Sequence, residues 1–584
     1  MKVSFLTIIV SLILAVASCT SNHKDPNDAD KKFAAFEDRF LDAYWKQYPS
    51  NGIYNGYGKY YDKLTIPDST GVLGNISFSK QWQDSLLHMD TLQLSDNNKI
   101  SWSIIQNQLE SDIWYQSVFR EYEWNPSLYN ISGECDYIIN QPYAPLDERL
   151  ITLSNRLQYA GAYYKAAFKI LHRPTKEHTE LAIIQNQGGL SVFGQALTDS
   201  IKASHLSDAD KATLQQRITG TTSAINVYID SLKAFVANTN FTFRSFRIGK
   251  ELFTQKFRYD LATNLTPGEV YAKAMADKKM YHQKMFVVAT ALWPKYYGAQ
   301  PKPTDTIQLV QSIIDKIQLR HAAPKDFYDS LTNQVHQLKK FILSRNLFDF
   351  DTINPPVKVR IMPEYARGVT VANAEFAPTY QAQGETYYNI DDLTLYPKEK
   401  AESALKEYNN YASQFLSIHE AMPGHCLQGI YNKKKSPDVL RSVFQNGAMV
   451  EGWAVYTENM MFENGWGNNS PEIELVFYKL KLRVLANVLL DYDLQCLDAP
   501  KEAIIALLTK GCFQTAAQAE EKYHRATVSQ AQLCFYYTGG TAILSLRDEY
   551  KKKMGDQFTL KDFHEKFLSF GSSPIKYIRE KMLQ

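Results

Sequence analysis

The chain has 584 residues and a formal net charge of +2 at pH 7, with 45% hydrophobic and 22% charged residues. This composition is ordinary for a globular protein, and the length is sufficient to bury large cores in several domains. The sequence carries no recognition motif and no basic patch interleaved with aromatic residues, so we expect no nucleic-acid partner.

The first segment has the pattern of an export signal. Met1 to Ser18 carries one early lysine and then a nearly unbroken apolar run, which is typical of a signal peptide and too short for a membrane-spanning helix. The small residues before Cys19 resemble a bacterial lipobox, which implies cleavage before Cys19 and lipidation of that residue. Cleavage nearby without lipidation, which would release a plain secreted protein, is the alternative.

The residues after Cys19 are polar and charged up to Lys32, as expected for a flexible tether. We therefore divide the chain into a signal peptide (1–18), a lipid-anchored tether (19–32) and a folded unit (33–584). The lipid anchor implies an exported bacterial lipoprotein held on a membrane, either at the outer membrane facing the periplasm or at the cell surface. The sequence leaves the membrane face open.

The six cysteines do not form a metal-binding pattern, because no CxxC pair occurs among them. If Cys19 is lipidated, an odd number remains, and at least one thiol is free unless a bond joins two chains. Cys426 directly follows a candidate metal ligand. Adjacent residues of a helix point about 100° apart, so we interpret Cys426 as a packing residue.

Apolar residues at helical spacing dominate the chain from Phe33 onward. The pattern predicts helices over Ile151 to His172 and over Ser207 to Asn238. Gln185 to Gly189 is predicted to be a turn or a close backbone approach, since a phosphate loop would need a Gly-Lys-Ser/Thr ending. A Thr cap, a Pro and a Glu at Thr266 to Glu269 predict a further helix start, and helices continue to about Leu347.

The pattern changes between Asn354 and Tyr396. Val357 to Ile361, Val369 to Phe376 and Glu385 to Ile390 are short β-like runs separated by Pro and Gly. They predict a small sheet immediately before the next helical segment. The fold class expected for the whole chain is therefore mainly α, a large multi-helical fold with a small β-sheet beside the active-site helix.

That next segment contains His-Glu-Ala-Met-Pro-Gly-His at residues 419–425. The usual zinc-peptidase signature, HExxH, places its two histidines four residues apart on one helix face. Here His419 and His425 are six apart, so on a regular helix their side chains would point about 120° apart. Pro423 removes a helical hydrogen bond and Gly424 accepts almost any backbone angle. A bulge of about two residues would return His425 to the face of His419, and we predict such a broken helix.

A second stretch, residues 451–458, supplies carboxylates. Glu451 is placed to be a third ligand, and two His with one Glu and an open position form the pattern of catalytic zinc. Glu420 is then the general base toward the metal-bound water and the later proton donor to the leaving amine. Glu458 shares a helix face with Glu451 and is expected to orient a ligand histidine. The alternatives are a helix break without chemistry and a solvated surface Glu458.

These two stretches resemble the bacterial family called domain of unknown function 885, whose hallmarks are HExxPGH followed by EGWAxYxE. Both hallmarks are intact, and the resemblance extends over most of the chain, including Phe246 to Glu251 and Gly571 to Pro574. It also covers a late pattern that consists of Arg525, Gln532, Tyr536, Gly539 and Leu546-Arg547. One departure is visible, because members often carry Pro-Gly before that glutamine and this chain has Gln530-Ala531.

The family in turn resembles helical zinc peptidases of the gluzincin type, and this resemblance implies further roles. It implies Tyr536 as the group that stabilises the oxyanion, with His524 or Tyr537 behind it. Arg525 is a candidate for binding a substrate carboxylate, although an internal salt bridge is an equal alternative. Gluzincin-like peptidases also present an edge strand to an extended substrate, and Tyr380, Tyr387 and Tyr388 are candidates for the cleft wall.

The sequence thus predicts a zinc-dependent hydrolase, specifically a peptidase that cleaves short peptides in a cleft between two helical halves. The catalytic half is expected to cover about residues 350–584. Two alternatives remain: a metal-dependent amidase acting on cell-wall peptides, and an inactive peptide-binding or scaffold lipoprotein. Endopeptidase and exopeptidase action are both open.

Overall fold

A computed structural model of the chain describes residues 27–349, 357–363, 367, 370–381 and 384–584. The expected signal peptide, Cys19 and most of the expected tether lie outside the described residues, as does Val369 at the start of one predicted β run. Within the described part, the molecule is mainly helical and contains a small three-stranded sheet, which confirms the expected fold class.

The N-terminal part is built from ten helices, several of which begin at Asn, Asp, Ser or Thr caps. They are α1 Asp28–Gln47, α2 Pro49–Asn55, α3 Ser69–Leu87, α4 Asp96–Trp114, α5 Ser132–Asn140, α6 Leu146–Leu157, α7 Ala160–Ile170, α8 Lys176–Gly189, α9 Gln195–Ala203 and α10 Asp208–Ala237.

Two of the sequence-based boundaries in this part are wrong, and one prediction of two alternatives is decided. The first helix already starts at Asp28, where the Asn27 side chain caps it, so the expected tether is shorter by the residues 28–32. The helix predicted over 151–172 is two helices, α6 and α7. Residues 185–189 close α8 rather than forming a turn, but the predicted close approach is real: a Cβ on Gly189 would lie 2.3 Å from Ser132 Oγ.

The remaining helices surround the sheet and the sequence motifs. They are α11 Gly249–Leu261, α12 Pro267–Tyr297, α13 Thr306–Ile317, α14 Phe327–Ser344, α15 Lys398–Glu407, α16 Ala412–Glu420, α17 His425–Lys435, α18 Leu440–Val443, α19 Gly447–Glu463, α20 Pro471–Cys496, α21 Lys501–Thr509, α22 Ala516–Val528, α23 Phe535–Met554, α24 Leu560–Leu568 and α25 Ile575–Leu583. The predicted start of α12 is confirmed, because Thr266 and Glu269 form a reciprocal capping box.

The sheet lies just before the helix of the first motif, as predicted. Its strands are β1 Lys358–Ile361, β2 Ala372–Glu375 and β3 Tyr387–Ile390, in the order β1-β3-β2. The central strand β3 pairs in parallel with β1 and antiparallel with β2. β2 is therefore an edge strand, and its outer side faces the C-terminal end of α16, where the Ala374 N–H donates to Glu420.

Two large hydrophobic clusters account for most of the core. One joins buried residues between Ile53 and Leu232, and the other joins residues from Trp114 to Met582 and includes α11 to α14. Packing therefore does not divide the chain near residue 350, where the catalytic half was expected to begin. Among the described helices, none combines the length and the apolar composition needed to cross a bilayer.

Candidate metal centre

The helix that carries the first motif breaks at the Met-Pro-Gly segment, as predicted. α16 ends at Glu420 and α17 begins at His425. The Gly424 N–H donates over 2.9 Å to the carbonyl of Ile418, six residues back, where a regular helix would use the residue four back. The chain thus holds two extra residues at this point. The rings of His419 and His425 consequently approach to 4.8 Å between centroids.

Gly424 and Trp453 explain why the break closes so tightly. A Cβ at position 424 would lie 1.9 Å from the carbonyl oxygen of His419, so only glycine fits there. From the neighbouring helix α19, the indole N–H of Trp453 donates over 2.9 Å to the carbonyl of Pro423. This bond satisfies one carbonyl of the break and ties the two motifs to each other.

The three expected ligands converge in one place. Ligand atoms of His419, His425 and Glu451 all lie within 4.8 Å of one another. One Glu451 oxygen is 3.8 Å from Nε2 of His419 and 3.4 Å from Nε2 of His425. All three side chains are partly buried, so a cation bound among them would be shielded from much of the solvent.

Glu458 orients His419 and is not a surface residue. Its Oε1 lies 2.8 Å from Nδ1 of His419, which leaves Nε2 facing Glu451. Its other oxygen accepts a 2.8 Å hydrogen bond from the ammonium of Lys481 on α20. The carboxyl of Glu458 is 8% exposed, and the solvated-surface alternative is therefore wrong.

The charges of this cluster favour a cation between the carboxylates. Burial by itself disfavours a charged His419, but Glu451 and Glu458 outweigh burial and raise the pKa of His419 to about 10. Burial likewise opposes charge on Glu458, yet Lys481 and His419 lower its pKa to about 2. Two imidazole nitrogens and one carboxylate oxygen are ligand types that zinc accepts, so the donor set fits this metal.

Glu420 lies beside the triad without joining it. Its Oε2 accepts a 3.1 Å hydrogen bond from the backbone N–H of Ala374 on β2. Within the described part of the chain, no hydrogen bond is made by its other carboxylate oxygen. A carboxylate held at one oxygen and open at the other can exchange a proton with a neighbouring molecule.

The second motif also builds the contact between α19 and α23. A Cβ on Gly452 would lie 2.4 Å from the backbone of Gly539, so the two helices touch through glycines. Tyr456 hydrogen-bonds over 2.8 Å to His564, a buried histidine whose other ring nitrogen contacts the Leu347 carbonyl. The glycine contact holds α23, which carries Tyr536, against the helix that carries Glu451, and the bond to His564 ties that helix to α24.

Tyr536 and Arg525 line the same cavity as His419 and Glu420. Burial and then the negative charge of Glu451 raise the pKa of the Tyr536 hydroxyl, so it remains a proton donor at neutral pH. Arg525 donates over 2.9 Å to the amide oxygen of Gln532. Ala531, at the one departure from the family pattern, has a φ of 66°, a conformation that favours glycine.

The structure contradicts three other expected site residues. His524 is 70% exposed, and its Nε2 lies 3.9 Å from Glu520 on the outer face of α22. Tyr537 points away from the cavity and donates over 2.6 Å to Asp277. Tyr380 accepts a hydrogen bond from Trp45 and packs against α1. Helix phase explains the first two errors, because neighbouring residues on a helix face different directions.

The two other tyrosines expected in the cleft wall lie in different environments. Tyr387 borders a cleft of about 1360 Å3 that runs from β2 to α5 and α9. Tyr388 is fully buried behind α16, where its hydroxyl lies 3.3 Å from Ser417.

Sequence reasoning missed Lys481, which neutralises Glu458. Its partner is 23 residues away on another helix, so no local motif relates them. The available signal was weaker: Lys479, Lys481 and Arg483 interrupt an otherwise apolar helix. Basic residues in a buried helix require partners, and each of the three pairs with a glutamate.

Comparison with known proteins adds family information. Residues 49–582 match the model of a family described as "Bacterial protein of unknown function (DUF885)". No curated protein gives a significant match. A structure from Shewanella oneidensis, described as "a putative lipoprotein of unknown function", has 42% sequence identity and a TM-score of 0.87, and the match covers 94% of this chain and 100% of that chain.

A second structure, described as "the putative lipoprotein from Colwellia psychrerythraea", has 15% identity and a TM-score of 0.75. That match covers 95% of this chain and 98% of the other. At this identity the likeness concerns the fold alone.

Proposed function

The chain belongs to the bacterial family DUF885, and within that family we propose that it is a zinc-dependent peptidase acting on short peptides. One observation carries the proposal: ligand atoms of His419, His425 and Glu451 converge, and Glu420 borders the same cavity as His419. Catalytic zinc sites have this donor set, whereas structural zinc sites use four closed ligands.

The residues of the chain have separate tasks in this proposal. Zinc held by the three ligands would supply a Lewis acid that polarises the scissile carbonyl and lowers the pKa of water. Glu420 accepts a proton from the attacking water and returns it to the leaving amine. The Tyr536 hydroxyl donates a hydrogen bond to the oxygen that becomes negative during the attack. Glu458 keeps His419 in the orientation that presents Nε2.

Strand β2 supports a peptide as the substrate. It is an edge strand beside Glu420, and Asn373 borders both the metal cavity and the 1360 Å3 cleft. An extended peptide can hydrogen-bond to such an edge and continue from one space into the other. A compact small-molecule substrate would use neither the strand nor the cleft.

The first test is metal content by mass spectrometry on the chain from Thr20 onward. We expect about one zinc per chain in the parent protein and none in a folded His419→Ala, His425→Ala double variant. A variant that lacks the exposed His88 and His205 instead is the matched control and should keep its zinc. Thermal unfolding of all three proteins shows whether each is folded.

The second test is hydrolysis of a quenched fluorescent peptide library by the zinc-loaded parent. Turnover should stop when a chelator is added and return with zinc. Absence of zinc from the carefully loaded parent would refute the metal centre. Zinc binding and peptide binding without turnover would favour a scaffold lipoprotein, and cleavage restricted to cell-wall peptides would favour the amidase.

We also propose that Cys19 is lipidated and holds the protein on a bacterial membrane. The lipobox-like sequence before Cys19 supports this, and two similar structures are described as putative lipoproteins. Labelled palmitate should be incorporated into the parent and not into a Cys19→Ala variant. Equal labelling of the two proteins would refute the anchor.

A further inference from the structure

We propose that Lys522 and Arg525 form a carboxylate-binding subsite that holds the C-terminal carboxylate of the substrate beside the metal centre. This inference rests on the proposed function and deepens it, because it makes the enzyme one that cleaves near the carboxyl end of a peptide. It also assigns a role to Lys522, a residue that carries no recognisable motif.

The two cations share one cavity of about 330 Å3 with His419, one of the three expected metal ligands. His419, Glu420 and the edge-strand residue Asn373 border one part of it, and Lys522 and Arg525 border another. Lys522 and Arg525 are three residues apart on α22, so they lie on the same helix face. A ligand in this cavity therefore meets the metal site and both cations.

The carboxylate of Glu407, which also borders this cavity, is already paired with two cations. Glu407 on α15 lies 3.7 Å from Lys479 and 3.0 Å from Arg483, both on α20. Burial by itself would raise the pKa of Glu407, but these two cations outweigh it and lower that pKa to about 2. Glu407 is thus already paired with two cations other than Lys522 and Arg525.

Lys522 and Arg525 have neutral partners only. The Lys522 ammonium donates over 2.7 Å to the amide oxygen of Asn487, and Arg525 donates to Gln532. In the part of the chain that the structure describes, no carboxylate lies within ion-pair distance of either cation, so the internal salt bridge expected as the alternative for Arg525 is absent. Lys522 is attracted by Glu407 at longer range, but Glu407 is itself paired with Lys479 and Arg483. Positive charge is therefore in excess in a cavity that also borders His419.

Arg525 is exposed, whereas the charge of Lys522 is costly unless a ligand offsets it. Burial, and then the charge of Arg483, lower the pKa of Lys522 to about 7, which reflects this cost. A carboxylate entering the cavity would accept hydrogen bonds from both side chains, and the guanidinium of Arg525 offers two parallel N–H groups for that purpose.

The sizes of the two spaces that Asn373 borders indicate whether the bound carboxylate is the peptide's terminus or an internal side chain. The cavity with the cations has about 330 Å3, whereas the adjoining cleft has about 1360 Å3. The larger space suits the body of a peptide and the smaller one its end. The source that we favour is therefore the terminal carboxylate and not the side chain of an internal acidic residue.

The experiment measures binding and turnover separately. Three phosphinic tripeptide analogues, in which a tetrahedral phosphinate replaces the scissile bond, are titrated calorimetrically into the zinc-loaded protein. They end in a free carboxylate, in a carboxamide, or in a carboxamide with an aspartate as the last residue. The proteins are the parent, a Lys522→Gln, Arg525→Gln double variant, and Lys510→Gln, which removes a positive charge at an exposed position outside the cavity.

We expect the parent and Lys510→Gln to bind the free acid roughly tenfold to a hundredfold more tightly than the carboxamide, because charged hydrogen bonds are lost with the amide. In the double variant, the two should bind about equally. Equal binding in the parent, or an unchanged preference in the double variant, would overturn the subsite. Tight binding of the aspartate carboxamide would overturn the terminal carboxylate as its source.

Peptide hydrolysis separates this inference from the proposed function. Turnover without any preference for a free C-terminus would support the peptidase function and refute the carboxylate subsite. Much tighter binding of the free acid than of the carboxamide, together with no turnover of any peptide, would support the subsite and refute the peptidase function.

Discussion

The metal centre and the carboxylate subsite border one cavity but have opposite charge balances. Among the described residues around the metal centre, Glu420, Glu451 and Glu458 outnumber the permanent cation Lys481. Among those around the subsite, Lys479, Arg483, Lys522 and Arg525 outnumber the carboxylate of Glu407. The end near His419, Glu420 and Glu458, here called the negative end, therefore favours a bound cation. The end near Lys522 and Arg525, the positive end, favours a bound anion.

This difference in charge indicates how a peptide substrate would be oriented in the cavity. Buried charge without a partner destabilises a fold, so an excess that persists is expected where a ligand compensates it. In the two proposals above, a metal ion would offset the first excess and a substrate carboxylate the second. The carbonyl to be cleaved would then lie between two fixed charges, which restricts where the peptide can be cut.

The largest expected effect comes from removing the proton acceptor of the negative end. Glu420→Gln keeps the shape of the side chain but cannot take a proton from water. We expect kcat for a library-derived peptide to fall by roughly 100-fold to 10,000-fold, with zinc content unchanged. Glu502→Gln, an exposed substitution on α21, is the matched control. Retention of more than a tenth of the activity would show that Glu420 is not the base.

The next effect concerns the one cation of the negative end. Lys481→Met leaves Glu458 buried without its ammonium partner, and we expect the free energy of unfolding without zinc to fall by about 3 kcal/mol. Adding Glu458→Gln should recover part of this loss. Bound zinc should also narrow the difference, because it replaces the lost positive charge.

A surface ion pair provides the control for that experiment. Lys501→Met breaks the exposed pair with Glu520 and should cost about 1 kcal/mol or less. If chemical denaturation gives equal losses for Lys481→Met and Lys501→Met, the negative end does not depend on Lys481.

A third substitution tests whether stability and activity depend on the close contact between α23 and α19. Gly539→Ala would place a Cβ 1.8 Å from the Ala448 carbonyl oxygen, so α23 must move away from α19. We expect a loss of about 1 to 3 kcal/mol in unfolding free energy and a lower kcat, because Tyr536 moves with α23. Gly161→Ala, whose Cβ would meet nothing within 4 Å, should not destabilise the protein.

Much of the negative end could be predicted from sequence, because its geometry depends on local chemistry. Pro423 and Gly424 cannot continue a helix in the ordinary way, and the number of residues between the two histidines determines the size of the bulge. The small sheet was predicted for a similar reason, since Pro and Gly separate short β-like runs. Both features depend on residues close together in the chain.

Of the positive end, only Arg525 was predicted, and that from the family resemblance; Lys522 was missed, because its position depends on helix phase and on contacts between distant residues. Lys522 and Arg525 face the cavity whereas His524, between them, faces solvent, and only the packing of α22 decides which face turns inward. The same limitation applies to Lys481. Its pairing with Glu458 depends on how α20 lies against α19, which no local pattern encodes.

The smallest expected effect is the pH dependence of the carboxylate preference. Lys522, with a pKa of about 7, is charged below that pH and becomes neutral above it. Its charged neighbours Arg483 and Glu407 keep their charges between pH 6 and 8, and burial raises the pKa of Cys512 to about 11, so that thiol stays neutral. Raising the pH from 6 to 8 should therefore remove one of the two positive charges.

We expect the ratio of the dissociation constants of the carboxamide and the free acid to fall by roughly tenfold over that pH range. Using the ratio cancels any pH effect on the metal centre, which both analogues share. In Lys522→Gln the ratio should be lower at pH 6 and should no longer change with pH. A ratio that falls equally in Lys522→Gln would assign the titration to another group, and the positive end would then hold its carboxylate through Arg525 alone.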